Sequence, residues 1–189
     1  MKKFVLCILS LSLIFSCNNE ASDIKTSNIY SESEKIDMSN KELKKFPLAV
    51  LEKTELKVLN ISKNEISVIP KEINNLSKLE VFDASVNNIE QLPDELCQLE
   101  NLIVLRLGIN DVKSIPKSIG NLKNLKVLDL WNNQLEVLPE SLTKLKHLKE
   151  LLLNFNNLNS LPQNFNGLNS LRKIVLGDNE FSAFPNEIY

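Results

Sequence analysis

The sequence predicts a repeat solenoid of the α/β type. Short parallel strands stack into one sheet, and each is followed by 3₁₀ or irregular turns rather than a full helix. Three observations predict this. Leucine recurs every 23 residues, at Leu56, Leu79, Leu102, Leu125, Leu148 and Leu171. All seven prolines of the chain, Pro47, Pro70, Pro93, Pro116, Pro139, Pro162 and Pro185, share one place in that period. Asparagine holds another place in six successive repeats, at Asn64, Asn87, Asn110, Asn133, Asn156 and Asn179. A unit of this length cannot bury its apolar face alone, so neighbouring copies must stack on one another.

The chain begins differently. Lys2 and Lys3 precede an apolar run over residues 4–15, and the sequence turns polar after Ser16-Cys17. That run is too short to span a bilayer comfortably and reads as a cleaved leader. Ile14-Phe15-Ser16-Cys17 resembles a bacterial lipobox. The resemblance implies a signal peptide over residues 1–16 and acylation of Cys17. Residues 17–32 then form a polar tether, and residues 33–189 form the repeat domain. Two or three acyl chains hold a protein firmly to a membrane. Cys7 falls in the leader, so an acylated Cys17 leaves Cys97 without a disulfide partner.

Each repeat can be numbered from 1 to 23, with position 1 at Leu56. Positions 3–7 alternate in the manner of a strand, with apolar residues at 4 and 6, such as Leu105 and Leu107. Position 9 is the asparagine, a polar residue amid apolar columns that must satisfy backbone groups where the chain turns inward. Position 11 is apolar from Leu43 to Phe181, and position 14 from Phe46 to Phe184. The proline at position 15 lacks an N–H and blocks a continuing strand. The apolar residues that follow have helix-like spacing, but the stretch is too short for a stable lone helix. An imperfect first copy starts at Ser33 and carries Lys53 where later copies have leucine.

This pattern, LxxLxLxxNxLxxLPxxIxxLxx over residues 33–189, is identified as that of the leucine-rich repeat family. The resemblance implies a right-handed horseshoe of about seven strands with the sheet on its concave face. It also implies that positions 3, 5, 7 and 8 face outward there. The last copy stops at Tyr189, which leaves Phe181, Phe184 and Ile188 bordering an open end. A second copy docking end to end would cover that edge.

The outward columns are uneven. Position 7 holds small or polar residues, Ser62, Ser85, Gly108 and Asn154, except for Trp131. Phe155 stands one coil on, with Ile109 and Val86 in the same column. Leu152 and Val175 replace the polar residues of earlier coils. These side chains should form one apolar patch rimmed by Asp83, Arg106, Asp129, Glu150 and Asp178, the composition of a protein-binding hot spot.

Catalytic chemistry is not suggested. His147 is the only histidine and belongs on an outer turn, and Cys97 has no base beside it in the repeat. No Cys/His spacing suggests a metal, and no glycine-rich loop suggests a nucleotide or other cofactor. The net charge of −2 argues against nucleic acid as a partner. The expectation is a non-enzymatic, lipid-anchored module of the bacterial cell envelope that binds a protein or peptide on its concave face. Asn18 after the acylated cysteine favours the outer membrane by resemblance to enteric lipoproteins. Self-association through the terminal coil, or carbohydrate stacking on Trp131, are the alternatives.

Overall fold

The structure is a computed structural model and describes residues 30–183 and 185, together with the strand backbone of Val5–Leu6. Among the described residues eight strands form one parallel sheet. They are β1 (Val5–Leu6), β2 (Lys35–Asp37), β3 (Val58–Asn60), β4 (Val81–Asp83), β5 (Val104–Arg106), β6 (Val127–Asp129), β7 (Glu150–Leu152) and β8 (Lys173–Val175). From β2 to β8 they follow chain order, and β1 lies on the far edge of β8. The register is the 23-residue period itself: Leu59 faces Phe82, which faces Leu105, then Leu128, Leu151 and Ile174. The repeat count predicts about seven strands. The additional one comes from the apolar run assigned to the leader, where Val5 pairs with Lys173 and Leu6 with Ile174.

Strands of three residues are short even for a repeat, and the backbone shows what ends them. Position 8 takes a positive φ in every coil, at Asn40, Lys63, Val86, Ile109, Asn132, Phe155 and Asp178. This left-handed step turns the chain inward toward the asparagine. The side-chain oxygen of Asn87 accepts the N–H of Ile66 on the preceding coil at 3.0 Å. Its amide donates to the carbonyls of Ile61 and Ala84 at 3.0 and 3.1 Å. Asn110, Asn133, Asn156 and Asn179 repeat the arrangement, each bonding its own coil and the one before. Asn64 through Asn156 are buried. Their bonds satisfy backbone groups that no strand or helix reaches, which is why one residue type recurs there.

On the far side of each coil the prolines open the turns. The Pro70, Pro93, Pro116 and Pro139 carbonyls accept the N–H three residues on, at Ile73, Leu96, Ile119 and Leu142, over 3.0–3.1 Å. Fixed φ and the missing N–H suit proline to this entry. Single 3₁₀ turns result, such as Lys71–Asn75, Asp94–Gln98 and Glu140–Lys144. Between turns and sheet runs one continuous core, in which Leu59, Ile73, Phe82, Leu105, Leu128 and Leu151 are fully buried. Cys97 is wholly enclosed in it.

The first coil is held by charge. Lys57 reaches Glu34 at 2.8 Å, and Ser31 donates to the same carboxylate from backbone and hydroxyl. These bonds, Lys57 foremost, bring the Glu34 carboxyl down to about 2. Tyr30 donates its hydroxyl to Glu80 at 2.9 Å. Phe184, Ile188 and Cys17, singled out in the sequence, lie outside the described residues.

Candidate functional site

The outward face of the sheet carries the residues singled out in the sequence. Position 5 of successive strands is in register, so Asp83, Arg106, Asp129, Leu152 and Val175 form one row across β4 to β8. Trp131, Ile109, Val86 and Phe155 follow directly behind this row, on the turns leaving the strands. All four are half-buried.

Trp131 does not stand proud. Its indole lies across Gly108 of the preceding coil, where an added Cβ would overlap the ring at Cδ1 and Nε1. The small residue one coil back is therefore the bed on which the large one rests. The same hypothetical Cβ would come 3.2 Å from Asp129 Oδ1, so the carboxylate shares the gap. Trp131 also donates its backbone N–H to that oxygen at 3.2 Å.

This geometry corrects the expected rim. Asp129 is only 7% exposed. Burial pushes its carboxyl up to about 7, against the Trp131 N–H and the nearby cations of Arg106 and Lys173, while Asp83 adds to the rise. Arg106 reaches Asp83 at 3.9 Å, both partly exposed. Glu150, also expected at the rim, has its Oε2 out of contact with water and without a hydrogen-bond partner. Leu152 is buried rather than displayed. Val175 is half-buried, and Asp178 alone of the expected rim is fully exposed. The site is thus an apolar surface with carboxylates set into it.

Two features were not read from the sequence. Val81, Val104 and Val127, at position 3, are buried and pack as a second apolar cluster with Val58 and Ile103. Their identity signalled a strand and nothing more. The other feature is the left-handed backbone of position 8. Asparagine, aspartate and lysine bear it at four coils, but Val86, Ile109 and Phe155 bear it at φ of 57°, 55° and 57°. A β-branched or bulky side chain is strained there, and no glycine relieves it.

Among the described residues no group of His, Cys, Asp or Glu is arranged to hold a metal ion. None of their helices is long and apolar enough to cross a membrane. His147 is exposed on an outer turn.

Comparison with known proteins places this geometry. The family model described as "Leucine-rich repeat region" matches residues 105–187, and that described as "Leucine Rich Repeat" matches residues 55–76. No curated protein matches the chain. Among solved structures, an internalin (inlF) from Listeria monocytogenes is 26% identical, with a TM-score of 0.66 over 74% of this chain and 40% of its own. The ectodomain of the Arabidopsis thaliana receptor kinase GASSHO1/SCHENGEN3, solved with CASPARIAN STRIP INTEGRITY FACTOR 2, is 34% identical. Its TM-score is 0.67 over 72% of this chain and 17% of its own. The plant peptide hormone receptor RGFR1, solved with RGF2, is 31% identical, with a TM-score of 0.67 over 71% and 22%. The chain thus spans 40% or less of the length of each of these structures. By its repeat, its stacked parallel strands and these matches, the chain belongs to the leucine-rich repeat family.

Proposed function

We propose that the chain is a non-enzymatic interaction module that binds a protein or peptide on the concave face around Trp131 and Phe155. The strained column carries this reading. Val86, Ile109 and Phe155 sit in a left-handed conformation that asparagine or glycine would take without strain. Strain of this kind persists where something other than stability holds it, and it clusters at binding sites. All three stand in the column next to that of Trp131 and, like it, are half-buried. Two of the similar structures are a plant membrane receptor kinase ectodomain in complex with CASPARIAN STRIP INTEGRITY FACTOR 2 and a plant peptide hormone receptor in complex with RGF2, which agrees with the reading.

Trp131 and Phe155 serve as apolar anchors, with Ile109, Val86 and Val175 around them and Leu152 packed beneath. Arg106, Asp83 and Asp178 set the orientation of the partner, while Asp129 and Glu150 support the surface from below. An acyl chain on Cys17 would hold the module in the bacterial cell envelope, at the outer membrane by preference.

A photo-crosslinking amino acid placed at Phe155, and separately at Val137 on the opposite flank, tests the site. Val137 is 61% exposed, so it reports non-specific capture. Adducts with one defined envelope component at Phe155 and none at Val137 are expected. Equal labelling at both positions would remove the concave face as the site.

A further inference from the structure

The turn that leads into each strand carries a second column, at position 2. Its residues stack directly: the N–H of Lys57 bonds the Glu34 carbonyl, and Glu80 bonds Lys57 in the same way. The column continues through Ile103, Lys126, Lys149 and Arg172, each joined to the one before over 2.7–2.8 Å. At its first end the signs alternate and the groups are engaged, Glu34 by Lys57 and Glu80 by Tyr30. At its other end three cations follow one another. Neighbouring coils lie only ~4.8 Å apart, so like charges in a column repel.

Lys123 and Lys146, on the adjoining turns, enlarge this ridge. Lys146 donates to the Thr143 and Gly167 carbonyls. Lys123, Lys126, Lys149 and Arg172 make no ion pair among the described residues. Lys123, Lys146, Lys149 and Arg172 are exposed. The neighbouring acids are Glu100, one coil before Lys123, Glu80, which lines one hollow with Lys126, and Glu150, which follows Lys149 in the chain.

Beyond the first coil, which carries Lys41, Lys44 and Lys45, the opposite flank, where the chain leaves the sheet, is mainly acidic: Glu65, Glu90, Asp111, Glu136 and Glu180, with Lys113 tied to Glu90 at 3.6 Å. A chain of net charge −2 is thereby divided into a cationic edge and an anionic one.

We infer that the ridge of Lys123, Lys126, Lys146, Lys149 and Arg172 docks on an anionic lipid surface and orients the solenoid edge-on to the membrane. Ile103 in the column and His147 beside Lys146 border the ridge singly and do not make the apolar centre that a folded protein partner would need. A row of phosphate headgroups needs only charge, and each lysine or arginine near such a surface adds attraction that salt screens. The choice of lipid over a soluble polyanion rests on the acyl anchor expected at Cys17. The anionic flank then points away from the surface, and the concave face stays open at the side.

Flotation with vesicles tests this, using the full chain with Cys17→Ser. Vesicles of phosphatidylcholine alone measure any insertion of the apolar N-terminal run. Vesicles of phosphatidylcholine and phosphatidylglycerol should bind more protein, and the excess should vanish in high salt. Lys126→Gln/Lys149→Gln/Arg172→Gln should lose about fivefold in affinity for each cation removed. Lys71→Gln/Lys113→Gln/Lys117→Gln, off the ridge, should retain it. Equal binding to both vesicles, or equal loss in both triple variants, would overturn the proposal. So would binding to soluble polyphosphate without binding to the anionic vesicles.

Discussion

The Trp131 indole lies against Gly108, one coil back, and the two residues occupy the same position of successive repeats. The pair explains why one repeat bears a large aromatic where its neighbours are small. A side chain on Gly108 and the indole in this place exclude each other. Gly108→Ala should therefore lift the ring into solvent. Trp131 is the only tryptophan of the chain, so its emission reports the change without interference. A red shift in Gly108→Ala with an unchanged circular dichroism spectrum is expected, and an unshifted spectrum would show that the ring lies elsewhere.

The neighbouring Asp129 makes the same fluorophore a pH reporter. Its folded-state carboxyl, at about 7, stands above its usual 3.8. The folded protein thus holds this proton more tightly than the unfolded chain. The resulting stability is present in full below about 4 and is lost as pH rises from 4 towards 7. Asp129→Asn should gain on the wild type across that window, by on the order of a few kcal/mol at neutral pH. Chemical denaturation at pH 4, 5.5 and 7 gives the comparison. A difference that does not change with pH would contradict the burial of this group.

Strain at position 8 predicts a conflict between stability and binding. Ile109→Asn replaces a β-branched residue at a φ of 55° with one that tolerates it. Stability should rise by about 1 kcal/mol in urea unfolding, while capture of the partner weakens. A clear loss of stability in Ile109→Asn would mean that the isoleucine serves packing.

The asparagine column should be intolerant. Asn133 accepts the Val112 N–H at 2.9 Å and donates to the Leu107 and Leu130 carbonyls at 3.0 and 3.1 Å. Asn133→Leu would orphan the buried Val112 N–H, at about 1–3 kcal/mol, and would take one of two donors from each carbonyl, which Asn110 and Asn156 still reach. A melting temperature within a few degrees of wild type would argue that water can replace the amide.

The solenoid was legible because its determinants are periodic: leucines, prolines and asparagines recur at fixed offsets, and stacking turns each offset into a layer. The candidate patch was legible only as a list of residues. The left-handed column was hidden because Asn40, Asn132 and Asp178 share it with Val86, Ile109 and Phe155, which carry no sign of a turn. The burial of Asp129 was hidden as well. The carboxylate sits beside Gly108, on the turn after the preceding strand, in the gap it shares with the Trp131 indole, and a charged residue in an outward column reads as solvated until that packing is known.

The central claim is that the concave face holds the partner. The most direct measurement is capture from an envelope extract by the wild-type chain, beside the same bait with Trp131→Ser and Phe155→Asn, folding checked by circular dichroism. A component retained by the wild type and lost by the folded variant is the predicted result. Equal retention by both would contradict the account and leave the concave face without a function.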